Sequence, residues 1–422
     1  VPIYILLYDI FIRLYLLGIR IASPFSTKAK KWREGRDKLF SRINKNISSI
    51  HGDKIWVHCA SLGEFEQARP LMEKLRKMHP EHKIILTFFS PSGYDVRRYY
   101  EGVDYVAYLP IDTAENAQKF IRLVKPNLVI WVKYEYWYHY LSQLHEKNIP
   151  VVLISAVFRQ DHLFFKWYGK LHRKMLGFFT HIFVQNEESK LLLHNIGIDA
   201  EVCADTRFDR VANIAGQRKE FENVALFKDN KKVLIAGSTW TKDAYLMIRL
   251  INSGIFSDKL KYIIAPHDPT KANISYLTGN LKKKTRLLSR VIAQAKNDQE
   301  VLIVDTIGAL SSLYYYGDIA YIGGGFNASI HNILEPAVYG MPVIFGPNHH
   351  KSLEAQDLLS HRDWHAAFSI GDYDQLVAAI SSLLDHDEEK LNIGKEKSRE
   401  YVLAHTGGTD MIYDYLISHK LI

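Results

Sequence analysis

Cysteine is almost missing: the chain holds two, Cys59 and Cys203, each inside an apolar run. Two such residues build no disulfide framework and suit buried, reduced thiols, as on a cytosolic face. Metal-type spacing is missing as well. The 19 histidines are scattered, His349-His350 is the one adjacent pair, and no Cys/His cluster has zinc-site spacing. No metal and no cofactor is expected. A P-loop lysine, a G-x-S-x-G elbow and a dinucleotide fingerprint with a placed acid are all absent. No internal repeat or low-complexity segment is visible. No small-residue cleavage site follows the apolar N-terminus, so a removed signal peptide is not expected.

What is present reads as an ordinary globular chain, 47% hydrophobic and 24% charged, and its 422 residues suffice for two domains. The net charge of +8 is unevenly placed. Lys28, Lys30, Lys31, Arg33, Arg36, Lys38, Arg42 and Lys45 follow directly on an apolar N-terminal stretch, residues 3–22. As a helix that stretch is about 30 Å long, one bilayer core. Asp9 and Arg13 stand at i,i+4 and are expected to pair. A basic cluster beside an apolar helix favours anionic lipid head groups, so a membrane-anchor helix, either spanning or lying in the interface, is expected over a core helix of the first domain. No aromatic–basic interleaving accompanies the cluster, and nucleic acid is not an expected partner.

From Lys54 onward, short apolar runs alternate with helical spacing. Residues 55–60, 83–89, 105–109, 128–132, 151–156 and 181–185 read as buried strands, with helices such as 65–78 and 113–124 between them, capped near Asp112 and Thr113. The polar stretch 211–230 reads as a linker. The plan then repeats, with strands at 233–236, 262–265, 301–304, 319–322 and 343–345. Strand–helix alternation predicts an α/β chain of two doubly wound parallel-sheet domains facing a cleft. The expected division is an anchor at 1–25, an N-terminal domain at 26–210, a C-terminal domain at 231–400, and a last helix at 401–422 crossing back to the first domain.

In such sheets ligands collect beyond the carboxyl ends of the strands. The organising stretch runs from Asp318 to Pro347. There a strand meets Gly323, Gly324 and Gly325, a helix opens near His331, and the free amides of that corner are expected to hold an anion. Glu335 is placed to accept hydrogen bonds from sugar hydroxyls. Other strand-end loops carry Gly237-Ser238-Thr239, Pro266-His267-Asp268 and Asp305-Thr306-Ile307-Gly308. In the first half, Ser61-Leu62-Gly63-Glu64 sets a carboxylate at a strand–helix corner, where it can take a proton from an attacking hydroxyl or merely favour the helix dipole. Ser90, Ser92 and Gly93 offer donors to an anionic substrate or form an ordinary turn. Glu135 is either a site carboxylate or an exposed residue among aromatics. Arg207 and Asp209 are expected to pair as a structural hinge.

Taken together, these blocks resemble the 3-deoxy-D-manno-octulosonic acid (Kdo) transferases. The resemblance is carried by Trp56-Val57-His58 with Ser61-x-Gly63-Glu64, then Thr87 with Ser90-Pro91-Ser92-Gly93, Glu135-Tyr136-Trp137 and Asp205-Thr206-Arg207-Phe208-Asp209. It continues through Ala236-Gly237-Ser238-Thr239, Asp305-Thr306-x-Gly308-x-Leu310 and Gly323-Gly324 ahead of His331-Asn332-x-x-Glu335-Pro336. The resemblance implies a GT-B glycosyltransferase that moves Kdo from CMP-Kdo to the lipid A precursor lipid IVA, at the cytoplasmic face of the inner membrane of a Gram-negative cell. It implies metal-independent, inverting chemistry with Glu64 as general base. Ser61, Gly63, Ser90, Ser92, Gly93 and Glu135 would serve the substrate. Ser238, Thr239, Pro266, His267, Ile307, Gly308, Leu310, Gly324, Gly325, Asn332 and Glu335 would hold the nucleotide. Three positions depart from the family pattern: His267 replaces an arginine, Ala309 a glutamate, and Ser329-Ile330 a glycine pair. The competing readings are a lipid A disaccharide synthase-like transferase, a UDP-sugar epimerase, and a non-catalytic membrane-bound binding protein.

Overall fold

The computed structural model describes residues 2–217, 219–290, 298–385 and 388–422. The chain forms two compact units, residues 1–209 with 406–422, and residues 210–405. Runs rich in Val, Ile and Leu are buried on both faces as parallel strands. In the first unit they are β1 Lys54–Cys59, β2 Lys83–Phe88, β3 Tyr105–Tyr108, β4 Leu128–Val132, β5 Val151–Ala156, β6 His181–Val184 and β7 Glu201–Val202. Their order is β3-β2-β1-β4-β5-β6-β7, all in parallel register. In the second unit they are β8 Lys232–Thr239, β9 Leu260–Pro266, β10 Thr285–Leu287, β11 Val301–Ile303, β12 Ile319–Ile322, β13 Val343–Phe345 and β14 Ala367–Ser369. Their order is β10-β11-β9-β8-β12-β13-β14, again parallel throughout. Each sheet has one place where the connections turn outward in opposite directions, between β1 and β4 and between β8 and β12. Ligands of open α/β sheets bind beside such points. Cys59 and Cys203 are free and buried.

The N-terminal stretch is a helix, Ile3–Ala22, but the expected spanning anchor does not stand. Among the described residues no helix is long and apolar enough to cross a membrane. The physical reason lies in its polar residues, which fasten one face to the first unit. Tyr8 Oη donates to Asp112 Oδ2 at 2.6 Å, and His139 Nε2 lies 2.7 Å from Asp9 Oδ1. Asp9 is therefore held by His139, in place of the expected partner Arg13. Asp112 is fully buried and also accepts the amides of His139 and Tyr140 at 3.0 Å, closing the start of helix Tyr138–Glu146. Thr113 caps its own helix, Ala114–Val124. The opposite face, Ile3, Leu6, Leu7, Ile10, Phe11, Leu14 and Leu17, is exposed.

Two further expectations are corrected. Residues 211–230 are not a bare linker: helix Arg207–Gly216 and helix Glu222–Lys228 occupy them, and Val224 and Phe227 of the second are buried. Polar residues outside hid two short amphipathic helices. At the other end, helix Glu389–Ala404 lies in the second unit, while helix Gly408–Ser418 belongs to the first. Its start is capped by Asp209, which accepts from Gly407 N at 2.6 Å and Thr409 N at 2.7 Å.

Removing the Tyr8 hydroxyl leaves a buried carboxylate short of one donor. Tyr8→Phe is expected to lower stability by about 1.5–3 kcal/mol, the range for hydrogen bonds to charged groups. The check is the urea midpoint of the transition that reports the first unit. An unchanged midpoint would show that the Asp112 contact does not fasten the N-terminal helix.

Candidate active site

Beyond β1 the chain enters helix Leu62–Met78 through Ser61. Glu64, in the helix's first turn, folds back so that Oε2 accepts the amide of Ala60. This contact occupies a backbone donor just ahead of the helix, and it pulls the carboxylate under the corner, where it is buried. Burial is the main cause that pushes Glu64 up to about 8; the charge of Glu135 adds to it, while the Ala60 amide and Lys133 oppose it. Glu135 stands just past β4, so the two carboxylates flank the β1/β4 divergence.

Glu135 is held by aromatic and imidazole donors, so the picture of an exposed residue among packing aromatics does not apply. Trp137 Nε1 donates to its Oε2 at 3.0 Å, and His58 Nε2 lies 3.2 Å from the same oxygen. On its other side, His58 Nδ1 is 2.9 Å from Thr87 Oγ1, which receives Trp56 Nε1–H at 2.8 Å. Thr87 Oγ1 also lies 3.5 Å from the Val57 carbonyl oxygen, and an Nε2–H directed at Glu135 gives that carboxylate oxygen a second donor beside Trp137. The imidazole is wholly buried. This chain of side chains fixes Glu135 relative to β1, β2 and β4.

The Ser90 corner is quieter. Ser90 Oγ accepts the Ser92 amide at 3.3 Å and lies 3.0 Å from Ser92 Oγ, so both hydroxyls are engaged with each other at the start of helix Pro91–Arg97. A Cβ on Gly93 would come within 2.2 Å of the Phe88 ring, so packing alone requires this glycine. Gly63 differs. It is exposed, and a Cβ there would approach only Ser61 Oγ, at 3.9 Å. Arg207 pairs with Asp205, with Nη2 3.0 Å from Oδ2, an oxygen shared with Gln67 and Gln185 at 2.6 and 2.7 Å. Burial pushes Asp205 up, but the Arg207 guanidinium and Lys133 overcome it and hold the carboxyl at about 2.

In the second unit, Ser238 and Thr239 end β8, and Gly323, Gly324 and Gly325 follow β12, on the two sides of the β8/β12 divergence. Ser238 adopts a left-handed conformation (φ 53°) where the β8–β9 register shifts. A Cβ on Gly323 would come within 2.2 Å of the Ser238 carbonyl oxygen, so the close approach of β12 to β8 requires glycine there. The expected free anion-holding amides are not found at two of these positions. Gly323 N donates to Gly237 O at 2.9 Å and Gly324 N to Asp243 Oδ2 at 3.0 Å. Asp243 is buried and also accepts Trp240 N at 2.9 Å and Tyr321 Oη at 2.7 Å. Gly325 packs backbone to backbone on Gly346. The expected helix near His331 is a single turn, Leu334–Ala337, because the Asn332 side chain accepts Leu334 N at 3.1 Å and delays its start. Asn332 Nδ2 also reaches Glu335 Oε1 at 3.3 Å. Burial raises Glu335, and the charge of Arg210 opposes the rise.

Beside these residues is an aromatic group whose Trp240 sequence reasoning did not single out. Trp240 Nε1 donates to His331 Nε2 at 2.9 Å, and the two rings lie within 5° of coplanar. His267, just past β9, stacks on both, with centroids 4.4 and 4.6 Å away. Burial is the main cause that lowers His331, to about 4, so it stays a neutral acceptor for the indole. Pro266 ends β9, and Ile307 and Gly308 (φ 88°) form an exposed loop before Leu310 opens its short helix. Asp243 was detectable as an acid three residues after the helix N-cap Trp240, the capping-box position; nothing local marked the Trp240–His331 pairing. Among the described residues one group has metal-type ligands, His79, Glu81 and His82. It precedes β2, at the amino ends of the strands, away from Glu64 and Glu135.

Residues 30–210 match the family model described as 3-deoxy-D-manno-octulosonic-acid transferase (kdotransferase). The 3-deoxy-D-manno-octulosonic acid transferase of Aquifex aeolicus is 28% identical over 351 residues, covering 82% of this chain and 90% of that protein. That of Haemophilus influenzae is 26% identical over 405 residues, covering 93% and 92%. Among solved structures, the UDP-GlcNAc 2-epimerase from Neisseria meningitidis bound to UDP-GlcNAc aligns with a TM-score of 0.57 at 15% identity, over 86% of this chain and 100% of that one. At that identity the likeness concerns the fold.

The glycines separate by the space around them. Gly63→Ala is expected to leave thermal stability unchanged or to raise it by about 0.5–1 kcal/mol, since the helix gains a better former and the Cβ has room. Gly323→Ala is expected to lower the melting temperature clearly, because its Cβ collides with backbone. Thermal unfolding of the two variants in parallel checks this; the reverse order would contradict the described β8–β12 approach.

Proposed function

We propose that this chain, whose residues 30–210 match the Kdo transferase family model, is a glycosyltransferase that transfers Kdo from CMP-Kdo to a hydroxyl of the lipid A precursor lipid IVA. The observation that carries the reading is the pair Glu64 and Glu135 at the β1/β4 divergence. One carboxylate is buried and raised to about 8, the other fixed by His58 and Trp137. A base working near neutral pH needs a pKa near that pH. Glu64 takes the proton of the acceptor hydroxyl as its oxygen bonds to the anomeric carbon of Kdo. The bond from that carbon to the CMP phosphate oxygen breaks, and configuration inverts. Glu135 raises the proton affinity of Glu64 through its charge. Ser61 and the open space over Gly63 admit the acceptor, with Ser90, Ser92 and Gly93 nearby in the same unit. The nucleotide is assigned to Ser238, Thr239, Pro266, His267, Ile307, Gly308, Leu310, Gly324, Gly325, Asn332 and Glu335, and the proposed reaction needs no metal. The exposed apolar face of helix Ile3–Ala22 and the basic residues after it support attachment to the cytoplasmic surface of the inner membrane, where the acceptor resides.

Glu64→Gln keeps the acceptor for the Ala60 amide and removes the base. Transfer from freshly generated CMP-Kdo to lipid IVA, read by mass spectrometry, is expected to fall by at least 10²-fold. For the wild type, kcat/KM is expected to rise with pH through an apparent pKa near 8, as Glu64 loses its proton. The stability effect has the opposite sign. The folded value lies above the unfolded one, so wild-type stability declines as pH rises between about 4.5 and 8, and the glutamine is free of that loss. Glu64→Gln is therefore expected to melt higher than wild type at pH 8. Full transfer by the variant would remove Glu64 as the base; a folded wild type that makes no product would overturn the donor–acceptor assignment.

A further inference from the structure

The loop that follows the short 3-10 turn Leu163–Phe165 has no part in the chemistry above. It runs through Lys166, Trp167, Tyr168 and Gly169 into helix Lys170–Leu176. Trp167 is 89% exposed and Tyr168 59%, their rings edge to face at 5.3 Å. An exposed tryptophan in a floppy loop would mean little, but this loop is built. The Arg173 guanidinium reaches back to three of its carbonyls, Phe164 at 3.0 Å, Lys166 at 2.7 Å and Trp167 at 3.4 Å. Gly169 closes it so tightly that a Cβ would come within 1.8 Å of the Leu163 carbonyl oxygen. Backbone is thus fixed from two sides so that an indole points outward. Underneath, Phe164 is buried in the core.

The loop's position says what covers it. Lys170 Nζ lies 6.0 Å from the Tyr4 ring centre, so the loop adjoins the first turns of helix Ile3–Ala22, whose outer face exposes Ile3, Leu6, Leu7 and Ile10. Lys174 Nζ lies 5.8 Å from the Tyr138 ring, which itself packs edge to face on Tyr8. The far end of the same helix has a matching arrangement, with Phe25 89% exposed ahead of Lys28, Lys30 and Arg33. An apolar face bounded at both ends by aromatic rings and lysines has the layering of a bilayer interface. Acyl chains meet the aliphatic residues, the carbonyl and glycerol level meets Trp and Tyr, and anionic phosphates meet the lysines.

We propose that the Trp167–Tyr168 loop is a second membrane contact, inserting its rings at the headgroup level of an anionic phospholipid bilayer beside helix Ile3–Ala22. One helix lying on a surface leaves the domain free to roll about the helix axis; a rigid second contact fixes the roll, and with it the direction in which the β1/β4 corner faces. This inference rests on the reading of the helix as a membrane-surface element and adds a contact that the helix alone does not require.

The test uses the full chain and vesicles of phosphatidylethanolamine with phosphatidylglycerol, compared with vesicles of phosphatidylcholine. Trp167→Ala is expected to weaken partitioning roughly tenfold, the effect of losing one aromatic side chain from an apolar contact. Lys166→Glu with Lys170→Glu is expected to weaken binding to the anionic vesicles only. Lipids brominated near the glycerol are expected to quench wild-type fluorescence more than that of Trp167→Phe, which isolates the signal of this indole. Leu7→Asp with Leu14→Asp tests the helix separately. If the helix variant loses binding while Trp167→Ala binds like wild type and Trp167 escapes quenching, the loop contact is overturned and the helix reading stands. If wild type binds neither kind of vesicle, both fail.

Discussion

A carboxylate held out of water beside a second carboxylate is the constraint on which the first unit's site depends. Glu64 is drawn inward by the Ala60 amide, which wants an acceptor, and driven toward its neutral form by burial and by Glu135. Each contact around it follows from that tension. His58 Nε2 and Trp137 hold Glu135, Thr87 Oγ1 holds the other ring nitrogen of His58, and Trp56 Nε1–H donates to that hydroxyl. A buried network of this kind is stable only when every member is satisfied, and it makes the orientation of Glu135 a property of three strands.

The second unit solves a different problem. Two strands, β8 and β12, come so close at their carboxyl ends that the Ser238 carbonyl and the Gly323 Cα share the space of one side chain. Asp243 then ties the following turn to the start of helix Thr241–Ser253 by accepting from Trp240 and Gly324. The result is a rigid corner whose exposed rim is aromatic, with His267 resting on the Trp240–His331 pair. The ring of His267, expected from the sequence to stand in for an arginine, is engaged in stacking.

Much of this was legible in the sequence, and the failures have physical causes. Strands buried on both faces announce themselves as continuous apolar runs, and 128–132 or 151–156 could hardly be read otherwise. The edge strands β7, β10 and β14 escaped because they have two or three residues, with polar members such as Glu201, Arg286 and Ser369. Glu64 stood out as a carboxylate in the first turn of the helix that follows β1, a place that suits a base or a partner of the helix dipole alike. The glycine corner misled in its detail: the residue types fit an anion site, but whether an amide is free depends on Asp243, some eighty residues earlier in the chain. The N-terminal helix misled for a related reason. Its apolar content reads as an anchor, while the partners of Tyr8 and Asp9, namely Asp112 and His139, lie more than a hundred residues away and decide that one face is docked.

The ionisation of Glu64 can be observed directly. Infrared difference spectra of the carboxylic C=O band across pH, wild type against Glu64→Gln, report whether this one group carries a proton. A band lost only as pH rises through about 8, and lost at lower pH when Glu135→Gln removes the neighbouring charge, is what the account predicts. A Glu64 that titrates near 4.5 and ignores Glu135 would contradict it.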